Sequence, residues 1–197
     1  MTGLDWNRAG GLLPAVVQHW QSGQVLMLGY MNRQALAATR SSGRVTFWSR
    51  SRQCLWTKGE TSGNILHLKG IYGDCDADAI LVLARPQGPT CHLGRQSCFG
   101  NDAAPQLAFL HDLDQTIAGR RGADVTASYT ARLLNGPRQR LAQKVGEEGV
   151  ETALAAVAGS NDALLDESAD LLYHLLVLLE SRGLGLGELV SRLAQRA

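Results

Sequence analysis

The hydrophobic period of this chain changes once, near residue 105, and that change constrains the fold more than any other feature. Up to Gly100 the apolar residues come in short runs separated by Gly- and Pro-containing turns; after Pro105 they recur at helical spacing, as in Leu107, Leu110, Leu113 and Ile117. At 197 residues and 45% apolar content the chain can bury one large core or two small ones. The switch of period selects two, a β-rich domain over residues 1–104 and an all-α domain over 105–197. The expected class is therefore a two-domain α+β protein.

Within the first half, residues 12–20 and 25–30 flank Gln21-Ser22-Gly23-Gln24 and predict a hairpin. A short helix follows, with Asn32 as N-cap, Leu36 on the buried side and Gly43 near its end. Strands are expected at 45–50, 55–58, 65–70 and 74–84, the last stopped by Arg85-Pro86-Gln87-Gly88-Pro89, giving a largely antiparallel sheet. In the second half the longer helices are expected at 138–158 and 163–181. Gly100-Asn101-Asp102-Ala103-Ala104-Pro105 forms the short connection, and no internal repeat or low-complexity tract is present.

Charge separates the halves as well. Residues 1–104 carry 10 Lys/Arg against 6 Asp/Glu, and residues 105–197 carry 9 against 12. A basic half suits a phosphorylated small molecule, and an acidic half suits divalent cations. The overall charge of +1 argues against a dedicated nucleic-acid binder. The first eight residues lack the apolar core of a signal peptide, and the apolar stretch 171–179 is too short to span a bilayer, so a cytoplasmic protein without membrane contact is expected. Four cysteines in a reducing compartment are then metal ligands or core residues rather than disulfides.

Chemistry concentrates in Asp74-Cys75-Asp76-Ala77-Asp78, followed by Cys91 and Cys98. Read as the start of the strand running into Ile80-Leu81-Val82-Leu83, the three aspartates point to one face and Cys75 to the other. Carboxylates suit Mg²⁺ or Mn²⁺ and thiolates suit Zn²⁺, so one strand would serve two metals. Zn²⁺ held by Cys75, Cys91 and Cys98 keeps a fourth position open for water, the pattern of a catalytic site. Against this, acidic triplets are commonly solvated turns, and the spacing of Cys91 and Cys98 matches no common zinc finger. The polar, glycine-containing neighbourhood of both cysteines favours ligands over core filling. Cys54, beside Leu55-Trp56 in an expected strand, fits the core.

On the helices, Glu148 and Glu151 are three apart, as are Glu167 and Asp170, and each pair shares a face. Leucines and Val177 cover most of the circumference of the last long helix, which is therefore expected to be largely buried, with Glu167, Asp170 and His174 in one narrow seam. Carboxylates gathered there would repel one another and lose hydration unless cations compensate them, and Mg²⁺ is the natural compensation. His174 is read as a neighbour supporting the carboxylates rather than as a ligand. Lys144 and Arg140 either meet phosphate oxygens or are ordinary surface charges.

These residues carry a resemblance over nearly the whole chain. The first half, through Phe47-Trp48-Ser49-Arg50-Ser51-Arg52, Trp56-Thr57-Lys58-Gly59-Glu60-Thr61-Ser62-Gly63-Asn64, the Asp74–Asp78 run and Thr90-Cys91-His92, resembles phosphoribosyl-AMP cyclohydrolase. The second half, through Ser128-Tyr129-Thr130-Ala131-Arg132-Leu133, Lys144-Val145-Gly146-Glu147-Glu148-Gly149-Val150-Glu151 and Glu167-Ser168-Ala169-Asp170-Leu171-Leu172-Tyr173-His174, resembles phosphoribosyl-ATP pyrophosphatase, of the all-α MazG-like superfamily. Their order is that of the bifunctional enzymes of histidine biosynthesis.

The resemblance implies two hydrolyses. The C-terminal domain would cleave phosphoribosyl-ATP between the α- and β-phosphates, and the N-terminal domain would then add water across N1–C6 of the adenine ring. It further implies Zn²⁺ on Cys75, Cys91 and Cys98, contributed by two subunits of a homodimer, with His92 shuttling a proton. Mg²⁺ would sit on Asp74, Asp76 and Asp78 near the substrate phosphates, with Arg50, Lys58 and Ser62 as phosphate-binding candidates. A second Mg²⁺ site would use Glu148, Glu151, Glu167 and Asp170, assisted by Glu147, with Lys144 toward phosphate. Two rival readings stand beside it: a C-terminal pyrophosphohydrolase acting on nucleoside triphosphates in general, and a zinc-stabilised binding module joined to a helical dimerisation element.

Overall fold

The computed structural model describes residues 3–7, 10–100 and 104–197. The Asn101-Asp102-Ala103 part of the expected connection lies outside them. Contacts divide the chain into two units, Met1–Ala108 and Phe109–Ala197, each with its own core. No helix of the described residues is long and apolar enough to cross a membrane.

In the first unit the expected hairpin forms from β1 (Leu13–His19) and β2 (Val25–Met31), paired antiparallel. Alternation along β1 buries Leu13, Ala15 and Val17. Helix α1 (Arg33–Ser42) follows directly. The Asn32 side chain accepts from the Ala35 amide at 2.8 Å, Leu36 is buried, and Gly43 closes the helix in the left-handed region at φ 67°. β3 (Thr46–Ser49) and β4 (Cys54–Thr57) pair only with each other. β5 (Leu66–Gly73) and β6 (Ile80–Pro86) complete the other sheet, whose order is β2-β1-β6-β5.

The strand pairing is largely antiparallel as expected, with one parallel exception: β6 enters between β5 and β1 and runs parallel to β1 while pairing antiparallel with β5. Two expectations change here. Cys54 is exposed, not in the core: it begins a strand of a two-stranded sheet, whose first two residues face solvent. Residues 74–79 are not part of β6, which begins only at Ile80. They form a loop bridging β5 and β6, with Ala77 at φ 63°, so strand alternation cannot be what orients the aspartates away from Cys75.

The second unit comprises α2 (Ala108–Gly119), α3 (Tyr129–Asn135), α4 (Arg138–Ala158), α5 (Asn161–Glu180) and α6 (Leu186–Ala194). Ile117, Leu133, Leu141, Leu176 and Val177 form the buried core. Helix α5 starts two residues before its expected position because Ser160 caps it, accepting from the Ala163 amide at 3.1 Å. It is not largely buried: His174, Leu176 and Val177 are, whereas Leu165 is 67% exposed. A helix apolar on most sides needs partners on most sides, and α4 together with α3 covers only part of this one.

Candidate active sites

The loop 74–79 gathers its carboxylates by local hydrogen bonding. Asp74 Oδ1 accepts from the amides of Asp78 (3.0 Å) and Ala79 (3.1 Å), which folds the chain back on itself. Donation from the Ala79 amide, aided by further local hydrogen bonds, holds the Asp74 carboxyl below its ordinary value. The result is that one oxygen from each of Asp74, Asp76 and Asp78 lies within 4.8 Å of the others. Opposed ligands around Mg²⁺ are about 4.2 Å apart, so the cluster needs little closure to hold a divalent cation.

Cys91 and Cys98 come together by a different route. Cys91 begins a turn in which its amide donates to the Arg95 carbonyl at 2.9 Å, and Cys98 is pinned to β2 through its amide and the Leu26 carbonyl at 2.8 Å. Between them buried Ser97 donates its hydroxyl to the Val25 carbonyl at 2.8 Å. The two thiols are neighbours that feel each other electrostatically, and their pKa values move in opposite directions. Donation from the Leu93 amide lowers the Cys91 pKa, while burial and then the neighbouring sulfur raise that of Cys98. Two neighbouring cysteine sulfurs are soft donors of the kind suited to Zn²⁺. Cys75, exposed on the acidic loop, does not join them in a three-ligand cluster among the described residues.

Beside Cys91 lies a cleft of about 350 Å³ lined in part by Trp56, Lys58, Ser62, Asn64 and His92. Lys58 is 9% exposed, and burial pushes its ammonium below the ordinary value while Cys98 and Cys91 pull it back up. It stands at the thiols, which leaves Ser62 and His92 as the expected residues on the exposed lining. Arg50 does not line the cleft; its guanidinium lies 3.9 Å from the centre of the Tyr30 ring. Arg95, next to both thiols, was not singled out in sequence, although its place inside the Cys91–Cys98 loop was the available signal.

Gly59 shapes this cleft. It sits at φ +87°, and a Cβ there would overlap the backbone of Asn64. Gly59→Ala is expected to destabilise the chain by about 1–3 kcal/mol and to raise the KM of the reaction served by this cleft, which the resemblance implies to be ring opening. Urea unfolding and steady-state kinetics check both. An unchanged KM would remove the 59–64 loop from substrate binding.

In the second unit, α4 and α5 bring together Glu148, Glu151 and Glu167, again with ligand oxygens within 4.8 Å. Glu148 is only 4% exposed. Lys144 pairs with Glu148 at 2.8 Å and with Glu147 at 3.0 Å, holding the Glu148 carboxyl below its ordinary value against the cost of burial. The ammonium itself is held well above its ordinary value, chiefly by Glu148 and then Glu147. Lys144 is thus a partner of the acids in this structure. Glu151 shifts upward, first through desolvation and then through repulsion from Glu148 and Glu167.

Asp170 is exposed and outside this set. Three residues advance an α-helix about 300°, so Asp170 is turned some 60° from Glu167, whereas seven residues return to within about 20° and bring His174 onto the same line. His174 Nδ1 lies 3.5 Å from Glu148 Oε1, and the ring is buried.

Each unit presents a carboxylate cluster whose geometry could hold a divalent cation, and the first adds a pair of cysteines beside a cleft, the donor types of metal-dependent hydrolases. The family described as phosphoribosyl-AMP cyclohydrolase matches residues 27–100, and phosphoribosyl-ATP pyrophosphohydrolase matches residues 110–197. Curated relatives with the name histidine biosynthesis bifunctional protein HisIE align along the full length. The protein from Photobacterium profundum is 55% identical over 201 residues, covering 100% of this chain and 97% of its own. That from Xanthomonas axonopodis pv. citri is 60% identical, covering 98% and 92%. The Escherichia coli protein is 56% identical, covering 98% and 95%. The chain belongs to this family of bifunctional histidine biosynthesis proteins, a hydrolase with cyclohydrolase and pyrophosphatase activities.

Proposed function

We propose that residues 105–197 release pyrophosphate from phosphoribosyl-ATP using Glu148, Glu151 and Glu167, with Asp170 as the fourth carboxylate, to hold Mg²⁺, and that residues 1–104 then open the adenine ring. The observation that carries the first assignment is the carboxylate set on α4 and α5, in which buried Glu148 and its neighbour Glu167 repel Glu151 and which a divalent cation would neutralise. Lys144 then acts as the counterion of Glu148 before the metal arrives and is drawn toward phosphate oxygens afterwards. Glu147, half-exposed and fixed by Lys144 and by Gln143 at 2.7 Å, is placed to orient water.

For ring opening, Cys91, Cys98 and a Cys75 from a second copy of the chain are assigned to Zn²⁺, which supplies an activated water when bound. The thiol pair and the exposed Cys75 support a ligand set completed between copies, and the exposed Val150, Leu154, Val157 and Leu165 on α4 and α5 support a homodimer. Lys58 stands at the thiols to stabilise negative charge, His92 on the cleft wall moves the proton, and Ser62 on the same lining serves phosphate binding. Asp74, Asp76 and Asp78 hold Mg²⁺. No nucleic acid or membrane enters this reading, and a cytoplasmic location is part of it.

A metal-defined assay tests it: phosphoribosyl-ATP should release pyrophosphate much faster than ordinary nucleoside triphosphates, and ring opening should depend on Zn²⁺. Preference for ordinary triphosphates would favour the general pyrophosphohydrolase reading. The two metals also separate by substitution. Asp76→Asn is expected to raise the Mg²⁺ requirement of ring opening at least about tenfold while bound Zn²⁺, measured by elemental analysis, is retained; Cys75→Ala should lose Zn²⁺. Zinc loss from folded Asp76→Asn with retention in Cys75→Ala would reverse the assignment.

A further inference from the structure

The Ser128–Leu133 segment carries part of the family resemblance, yet none of its side chains belongs to the carboxylate cluster. Helix α3 begins there: Ser128 accepts from the Ala131 amide at 3.2 Å, and Ala131 and Leu133 are buried against the core. This anchoring presents Tyr129 and Thr130 to α5. The Tyr129 hydroxyl lies 3.3 Å from His174 Nε2, and the Thr130 hydroxyl lies 2.7 Å from that of Tyr173.

His174 is 5% exposed and held on every polar atom. Its Nδ1 is 2.9 Å from the Asp170 carbonyl, an oxygen that can only accept, so Nδ1 carries the proton. In the neutral ring Nε2 is then an acceptor, and the Tyr129 hydroxyl donates to it. Tyr129 and Tyr173 meet the imidazole edge-on, with ring centres at 6.3 and 5.1 Å and interplanar angles of 88° and 74°. The imidazole therefore has little freedom to rotate. Its Nδ1 faces Glu148 Oε1 at 3.5 Å, on the side of the carboxylate that also receives Lys144 at 2.8 Å.

We propose that Tyr129 is a positioning residue of the pyrophosphatase site: by fixing the tautomer and orientation of His174 it fixes the Glu148 carboxylate for its divalent cation. The proposal rests on the reading of Glu148 as a metal ligand. Residues that orient a metal ligand from one residue away commonly govern metal affinity 10- to 100-fold, and here the orienting hydrogen bond runs from Tyr129 on α3 to His174 on α5, whose buried ring is set 3.5 Å from Glu148 on α4. Thr130 provides an internal control, because its hydroxyl joins the same two helices but touches Tyr173 rather than His174.

The test measures Mn²⁺ binding by electron paramagnetic resonance on the full chain carrying Asp76→Asn, which removes competition from the N-terminal cluster. Tyr129→Phe is expected to raise the Mn²⁺ dissociation constant about tenfold, and Thr130→Val to leave it within twofold even though both lower the melting temperature. In pyrophosphate release, Tyr129→Phe should raise the Mg²⁺ concentration needed for half activity and recover most of kcat at saturating Mg²⁺. His174→Asn, which offers an N–H near the Nδ1 position but no acceptor to Tyr129, should match Tyr129→Phe, and the double variant should be no worse than either single one. Unchanged Mn²⁺ affinity in Tyr129→Phe, an equal loss in Thr130→Val, or additive losses in the double variant would overturn the proposal. Glu148→Gln separates the underlying reading: if it binds Mn²⁺ like the parent chain, the metal assignment fails and the positioning role fails with it.

Discussion

Glu151→Gln is expected to lower pyrophosphate release from phosphoribosyl-ATP by about 100-fold or more while leaving ring opening of supplied phosphoribosyl-AMP within twofold. The substitution keeps the side chain's size and removes one of three charges gathered within 4.8 Å. A divalent cation contributes several kcal/mol of charge stabilisation to phosphoryl chemistry, and about 3 kcal/mol corresponds to roughly 100-fold in rate. The same substitution should stabilise the metal-free protein. Burial first, then Glu148 and Glu167, raise the Glu151 carboxyl above its ordinary value. The folded state therefore binds that proton more tightly than the unfolded chain. Stability from this group is fullest below the ordinary carboxylate value and falls as pH rises through the raised one. Gln removes that loss, so at neutral pH without metal Glu151→Gln should melt higher than the parent chain. Added Mg²⁺ should raise the melting temperature of the parent far more than that of the variant. Retained pyrophosphate release, or a lower metal-free melting temperature, would take Glu151 out of the metal set.

Cys91→Ser should do the reverse, lowering ring opening at least about 1000-fold and leaving pyrophosphate release nearly intact. Serine keeps the turn but replaces a soft, readily ionised donor with a hydroxyl that stays protonated at neutral pH. In the parent, the Leu93 amide donates to the Cys91 sulfur at 3.5 Å and stabilises its thiolate. Zinc per chain, measured by elemental analysis, should fall in parallel with ring opening. Equal loss of both activities in a folded variant would show that the two sites are not independent.

Much of this was legible in the residues because it depends on short-range rules. The hairpin, the Asn32 cap and Gly43 stop of α1, and the limits of α4 follow from alternation, capping and helical period, all of which act over a few residues. Glu148 and Glu151 share a face for the same reason. The Asp74–Asp78 cluster was also found, but for the wrong cause. Strand alternation was expected to align the carboxylates, whereas Asp74 does so by drawing the Asp78 and Ala79 amides around itself in a loop.

Other features needed the chain to fold in three dimensions. Whether Cys54 is core or surface depends on how many strands flank β4, and whether α5 is buried depends on how many helices cover it; neither number is written in the segment itself. Glu167 rather than Asp170 stands with Glu148 and Glu151 because interhelical packing selects one line along α5, and the same line brings buried His174 to Glu148. The amino-acid sequence by itself determined the two-part architecture, the metal-type donors and the family, since each is encoded in local pattern and residue identity. Tertiary structure alone decided which donors meet, because contacts between residues far apart in the chain are set by the packing of whole elements and not by the spacing of side chains along one of them.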